Sequence, residues 1–161
     1  MTEINKNMSR AYIAFGANLS NPRETLMRAI MAMGETGIII DGVSNLWRSP
    51  AWPPGSGAPD YYNAVLSVQT GLGAMALMDL LLRIETGLGR VRSVRNAPRL
   101  IDLDLIDYAG QVSTDPHCTL PHPRMAERAF VLKPMDEVVC PGWRHPVSGQ
   151  TLSALIAALA I

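Results

Sequence analysis

Apolar residues along this chain fall into two rhythms. Residues 11–15 (Ala-Tyr-Ile-Ala-Phe) are continuously apolar and predict a first strand buried on both faces. Gly16 to Ser20 turn the chain. Asn21 then offers a cap, Pro22 suits the first helical position, and Leu26, Ile30 and Met33 form a stripe that ends at Gly34 to Gly37. Residues 38–47 predict a second strand with a bend at Gly42, and Tyr61 to Thr70 a third strand. A second helix is expected over about 74–88, where Leu77, Leu80, Leu81 and Ile84 recur at helical spacing. The next strand follows Pro98 and runs to about Tyr108, with Gly110 turning into a short strand near Val112. Phe130 to Val139 reads as partly helical and Leu152 to Leu159 as a short C-terminal helix.

The order strand, helix, strand, strand, helix, strand predicts a split βαβ pattern. The expected class is α+β: a ferredoxin-like α/β sandwich with a mainly antiparallel sheet and extra C-terminal elements. Residues 1–10 are polar and are expected to be a disordered tail, leaving 11–161 as a single catalytic domain. Between the second and third strands, Ser49 to Pro59 holds six Pro or Gly in eleven residues and excludes regular structure. Loops of this length often serve as lids. Trp52 within it either packs on the body or carries an aromatic ring over a ligand.

Composition narrows the class. The 161 residues suit one domain, 48% of them are hydrophobic, and formal net charge is zero, so no long-range attraction for nucleic acid is expected. Of fourteen basic residues only Lys6 and Lys133 are lysines, and no Gly-Lys pair exists, which excludes a Walker A loop. Cys118 and Cys140 alone make no disulfide framework. No signal peptide is apparent, and no apolar run reaches the ~18 residues of a membrane span. A cytoplasmic protein with no membrane or nucleic-acid partner is therefore expected. Gly71-x-Gly73-x-x-Ala76 matches a dinucleotide fingerprint in form. The residue twenty past Gly73 is Ser93 and not an acid, so the glycines read as turn residues.

The chemistry concentrates at 90–105. Arg90, Arg92, Arg95 and Arg99 fall within ten residues, and Asp102 and Asp104 follow at once. On a strand these aspartates share a face, about 6.5–7 Å apart at the backbone. Two half-buried carboxylates repel each other, and a hard dication relieves them; Mg2+ takes one or two carboxylates with phosphate oxygens and water. Guanidiniums bind phosphate oxygens in pairs. Each half has a plainer reading, as a solvated strand edge and a solvated face; together they are the parts of a phosphoryl-transfer site. Glu85, near a helix end where the dipole disfavours an acid, needs a partner, and the nearby arginines are the obvious ones. His122, fixed between Pro121 and Pro123, is either a backbone-bonded structural histidine or, with Arg124 and Arg128 close by, an anion contact.

Six ordered motifs carry a resemblance that spans residues 11 to about 155. They are Ala-Tyr-Ile-Ala-Phe-Gly-Ala-Asn-Leu (11–19), Arg-Ser-Pro (48–50), Asp-Tyr-Tyr-Asn-Ala (60–64), Arg-Ile-Glu-Thr-Gly-Leu-Gly-Arg-Val-Arg (83–92), Ala-Pro-Arg-Leu-Ile-Asp-Leu-Asp-Leu (97–105), and Pro-His (121–122) with Arg128 and Phe130. In these the chain resembles the 6-hydroxymethyl-7,8-dihydropterin pyrophosphokinases of folate biosynthesis. The resemblance implies that ATP gives its β,γ-pyrophosphoryl group to the hydroxymethyl oxygen of the dihydropterin and that AMP leaves. It implies two Mg2+ ions held by Asp102 and Asp104. By the same resemblance Arg90 and Arg99 act on the phosphates, while Arg92, Leu105, His122 and Arg128 hold ATP. Asp102 would also lie near the substrate hydroxyl and take its proton. The pterin pocket would use Gly16, Ser49, Pro50, Tyr61, Asn63 and Phe130, with Tyr61 and Phe130 stacking on a flat ring and Asn63 pairing with its edge. A monomer is expected.

The chain departs from the family pattern at several points. Asn96-Ala97 stand where Trp-Gly is usual, and the segment between Arg92 and Arg95 is one residue shorter. Pro123 replaces a frequent tyrosine, Ser49 a common threonine, and Trp52 an aliphatic residue. These fall on the arginine loop and the adenosine contacts, and leave both aspartates, Arg90, Arg99 and the stacking pair in place. Two rivals remain on sequence alone: a non-catalytic ferredoxin-like module that binds nucleotide or pterin, and RNA binding through the arginine run. The paired aspartates argue against both.

Overall fold

Three apolar segments lie side by side in one sheet: β1 (Ser9–Ala17), β4 (Tyr61–Thr70) and β5 (Asp102–Tyr108). The computed structural model describes residues 7–19, 21–51, 54–89 and 101–159. β1 lies between β4 and β5, antiparallel to each, and β2 (Ile39–Val43) and β3 (Trp47–Ser49) pair antiparallel with β4. With α1 (Pro22–Glu35) after β1 and α2 (Ala74–Gly87) after β4, the sheet order β2-β4-β1-β5 is that of the expected ferredoxin-like sandwich. β4 and β5 are each antiparallel to β1, so α2 joins two parallel strands that are not adjacent, a split βαβ unit rather than the unit of neighbouring parallel strands that a dinucleotide fingerprint opens.

Period two divides the sheet into faces. Ile13, Phe15, Leu66, Val68, Leu103 and Leu105 point to one side and pack under α1 and α2 against Leu26, Met33, Leu77 and Leu81. Each such side chain, fully buried, contributes about 1.5–3 kcal/mol. Tyr12, Ala14, Val65 and Ile106 point to the other side. They pack against α3 (Ala129–Asp136) and α4 (Leu152–Ala157) through Val131, Leu132, Met135, Leu152 and Leu155.

Local chemistry sets the helix ends. Asn21 Oδ1 accepts the Glu24 N–H at 3.2 Å with Pro22 at the first helical position, and Gly37 leaves α1 with φ +85°. Thr151 caps α4 by accepting the Ala154 N–H at 3.1 Å.

Several expected boundaries move. β1 begins at Ser9, two residues inside the span read as a tail, because Arg10 enters a polar cluster: its guanidinium bonds Asp41 at 2.9 Å and Ser67 Oγ at 2.6 Å. The expected strand 38–47 is two strands. The β2–β4 register shifts at Gly42, where a Cβ would sit 3.3 Å from Ser67 and Val138, and the ladder then breaks at 44–46. There Ser44 donates its N–H to Val65 O, while its hydroxyl, in place of a backbone carbonyl, accepts the Val65 N–H at 2.9 Å. The short strand expected near Val112 is a single bridge between Ser113 and Leu120, since Asp115 takes the chain into a side-chain-bonded turn. The roles suggested for Trp52 and for Arg90, Arg92, Arg95 and Arg99 lie outside the described residues.

Candidate active site

The strand register builds the floor of a cleft. On β5, Asp102 stands opposite Gly16 and Asp104 opposite Ala14; on β4, Asn63 stands opposite Gly16 and Val65 opposite Ala14. Directly opposed residues project to one face. The first row is therefore Asp102, Gly16, Asn63 and the second Asp104, Ala14, Val65. Two strand spacings, about 9.5 Å, separate the acids from the amide, and the residues between them have almost no side chain. α3 and α4 cover the far end of this face, at Tyr12 and Ile106, and leave the near end open. The resulting cleft has a volume of about 680 Å³, and Ser49, Pro50, Tyr61, Arg124, Arg128, Phe130 and Val131 wall it.

Asn63 is held from behind. It is 6% exposed, and its Nδ2 donates to Ser49 Oγ at 2.8 Å and to Trp47 O at 3.1 Å. Trp47 O can only accept, which fixes the amide's orientation. Oδ1 then lies over Gly16, 3.5 Å from where a Cβ would be, and receives no donor among the described residues.

The acids are held as well. Glu85, 2% exposed on the last turn of α2, accepts the backbone N–H of Leu103 at 2.6 Å, between the two aspartates. Its partner here is a peptide group, whereas the arginines suggested from the sequence lie outside the described residues. Asp102 and Asp104 are a donor set of two carboxylates, and no group of three or more His, Cys, Asp or Glu residues gathers among the described residues. Two carboxylates beside open space suit Mg2+, which takes its remaining ligands from phosphate and water.

The rim is positive. The Arg128 guanidinium sits 5.5 Å from the centroid of the Phe130 ring, a cation–π contact that covers part of one ring face. His122 donates its backbone N–H to Ile106 O at 2.8 Å, and its Nδ1 accepts the Arg124 N–H at 3.2 Å. Burial, with Arg128 and Arg124 adding to it against Asp102, depresses its pKa to about 4. At neutral pH the ring is uncharged. With Nδ1 accepting, the proton is on Nε2.

Nine of the residues singled out from the sequence line this cleft: Gly16, Ser49, Pro50, Tyr61, Asn63, Asp102, Asp104, Arg128 and Phe130. His122 is half-buried behind the rim. Leu105 is 1% exposed in the layer under α1 and α2, because its place in the period-two pattern turns its side chain away from the aspartates. Its side chain does not reach the cleft. Ala14 and Arg124 were not singled out for the cleft. Ala14 was legible as the small residue two before Gly16, and Arg124 as the next cation after His122.

Residues 12–140 match the family model for 7,8-dihydro-6-hydroxymethylpterin-pyrophosphokinase. A 2-amino-4-hydroxy-6-hydroxymethyldihydropteridine pyrophosphokinase of Synechocystis is 35% identical over 96% of this chain and 78% of its own length. That of Pseudomonas aeruginosa is 37% identical over 94% of this chain and 92% of its own. Among solved structures, Plasmodium falciparum HPPK-DHPS superposes with a TM-score of 0.69 at 12% identity, covering 97% of this chain. This chain spans 45% of that longer protein, and the likeness is one of fold.

Proposed function

The chain belongs to the 7,8-dihydro-6-hydroxymethylpterin-pyrophosphokinase family, and we propose that the cleft on the open end of its sheet is where the family's reaction takes place. That reaction, in folate biosynthesis, moves the β,γ-pyrophosphoryl group of ATP to the hydroxymethyl oxygen of 6-hydroxymethyl-7,8-dihydropterin and releases AMP. One observation carries the assignment. Two carboxylates, an oriented amide and a partly covered aromatic ring converge on one 680 Å³ space floored by Gly16 and Ala14.

The pterin lies between Tyr61 and Phe130, with an N–H on its edge donated to Asn63 Oδ1. The triphosphate lies over Asp102 and Asp104, facing Arg124 and Arg128. Arg90 and Arg99 complete the phosphate contacts, and Arg92 and the Nε2–H of His122 help hold ATP. The hydroxymethyl oxygen attacks the β-phosphorus; the new O–P bond forms as the bond to the AMP oxygen breaks, and Asp102 takes the hydroxyl proton. Catalysis of this kind is chiefly positioning and charge stabilisation. Mg2+, two ions in the full reading, would be held by Asp102 and Asp104 and would neutralise charge on the phosphate oxygens. In this reading the chain acts as a monomer. Among the described residues no helix is long and apolar enough to cross a membrane, in keeping with work in the cytoplasm.

Incubation with ATP, Mg2+ and hydroxymethyldihydropterin tests this directly. AMP and the pterin diphosphate should appear in equal amounts. ADP in place of AMP would contradict pyrophosphoryl transfer, and unchanged nucleotide with pterin still bound would leave the chain a non-catalytic binding module.

A further inference from the structure

Behind the cleft wall stands a set of contacts among residues that are not part of its lining. Glu137 is the residue that ends α3. Its Oε1 accepts two donors from Asn45, the backbone N–H and Nδ2, each at 2.9 Å. Its Oε2 accepts the indole N–H of Trp47. A carboxylate at the C-terminal end of a helix is opposed by the helix dipole. Three donors converging on it from one short segment give it a different reason to be there. That segment runs from the break between β2 and β3, where the regular ladder fails to hold the backbone, to the first residue of β3, some ninety residues earlier in the chain.

Trp47 is the point at which this tie meets the cleft. Its carbonyl is one of the two acceptors that orient the Asn63 amide, the other being Ser49 on the same three-residue strand. A short edge strand is held in register by few ladder bonds, so a fixed point at its start controls where both acceptors lie. If the strand shifts, Nδ2 loses its partners, and the amide can turn to present N–H in place of Oδ1. The same carboxylate belongs to the helix whose other end carries Phe130 and Val131, so one side chain ties together the two walls of the cleft.

We propose that Glu137 is a positioning residue for pterin recognition. By fastening the start of β3 to the end of α3, it fixes which polar atom of Asn63 faces the ring. The inference rests on the assignment of this cleft to the pterin. Glu137 itself does not line the cleft and touches neither substrate there.

The test is a split between the two substrates. Glu137→Ala removes the acceptor for all three donors, Glu137→Gln keeps one carbonyl oxygen, and Trp47→Phe keeps a ring but deletes the indole N–H. AMP release gives KM for each substrate and kcat. Glu137→Ala should raise the pterin KM about five- to tenfold and leave the ATP KM within about twofold. Glu137→Gln and Trp47→Phe should give smaller rises of the same kind. Should Glu137→Ala fail to fold, those two variants decide by the same split. An unchanged pterin KM, or equal rises in both KM values, would overturn the proposal, since a general loss of stability does not select one substrate. Asn63→Ala separates the two levels. If it raises the pterin KM and the Glu137 variants do not, the positioning role fails and the cleft assignment stands. If neither does, the assignment of the cleft to the pterin fails.

Discussion

Asn63 spends both amide hydrogens on the protein and keeps one oxygen for the cleft, so its selectivity comes from the two acceptors behind it. In the proposed reading, residues at the cleft divide by which substrate they serve, and single substitutions should divide the same way. Tyr61→Ala removes a stacking face and should raise the pterin KM about tenfold with the ATP KM almost unmoved; titration of each ligand against the variant checks this, and equal losses would discredit the stacking pocket. Asp104→Ala should lower AMP release by at least about a hundredfold. The variant should stay folded. A near-normal rate would remove Asp104 from the chemistry. Gly16→Ala meets Asn63 Oδ1 at an ordinary contact distance, so the fold should tolerate it. The added methyl takes up space in the cleft, and the pterin KM should rise without loss of stability.

Elements place these side chains, and some of that placement was readable from the chain alone. Period two put Asp102 and Asp104 on one face of β5, and the stripe in α2 put Leu77, Leu81 and Ile84 in the core. What could not be read depends on partners that leave no mark in sequence. The Glu85 carboxylate bonds a peptide N–H, which every residue but proline carries, so nothing in the sequence pointed to Leu103. The split between β2 and β3 rests on a serine hydroxyl standing in for a carbonyl, a substitution invisible to hydrophobic pattern. Leu105 shares a motif with the aspartates, yet alternation sends its side chain to the other face of β5. Glu85→Ala would leave the Leu103 N–H unpaired in a buried site and should cost about 1–3 kcal/mol of stability, measured by urea unfolding. AMP release should fall further than that loss explains, since β5 carries both acids. A variant of parental stability would sink this account of Glu85.

Across the whole molecule, two apolar layers flank one sheet, and a charge is trapped between the sheet and the C-terminal segment. Asp107 is 2% exposed, its Oδ1 has no hydrogen-bond partner among the described residues, and the Trp143 indole reaches Oδ2 at 3.5 Å. Burial raises its pKa above the ordinary carboxylate value, against the pull of Trp143, the Gly110 amide and His145. A carboxyl group raised on folding binds more protons in the native state, so its contribution to stability is present at low pH and is lost as pH rises through its folded pKa. Asp107→Asn should therefore be more stable than the parent at pH 7, with the difference shrinking as pH falls toward 3.8. Thermal melts of both proteins across that range decide it, and a difference that does not change with pH would contradict the burial argument. The uncovered end of the sheet has a larger consequence. The cleft is a stretch of interior the protein never finished, kept vacant by Ala14 and Gly16. A library selected only for heat resistance would fill it with bulkier apolar side chains, and its toughest survivors would be the ones that make no product.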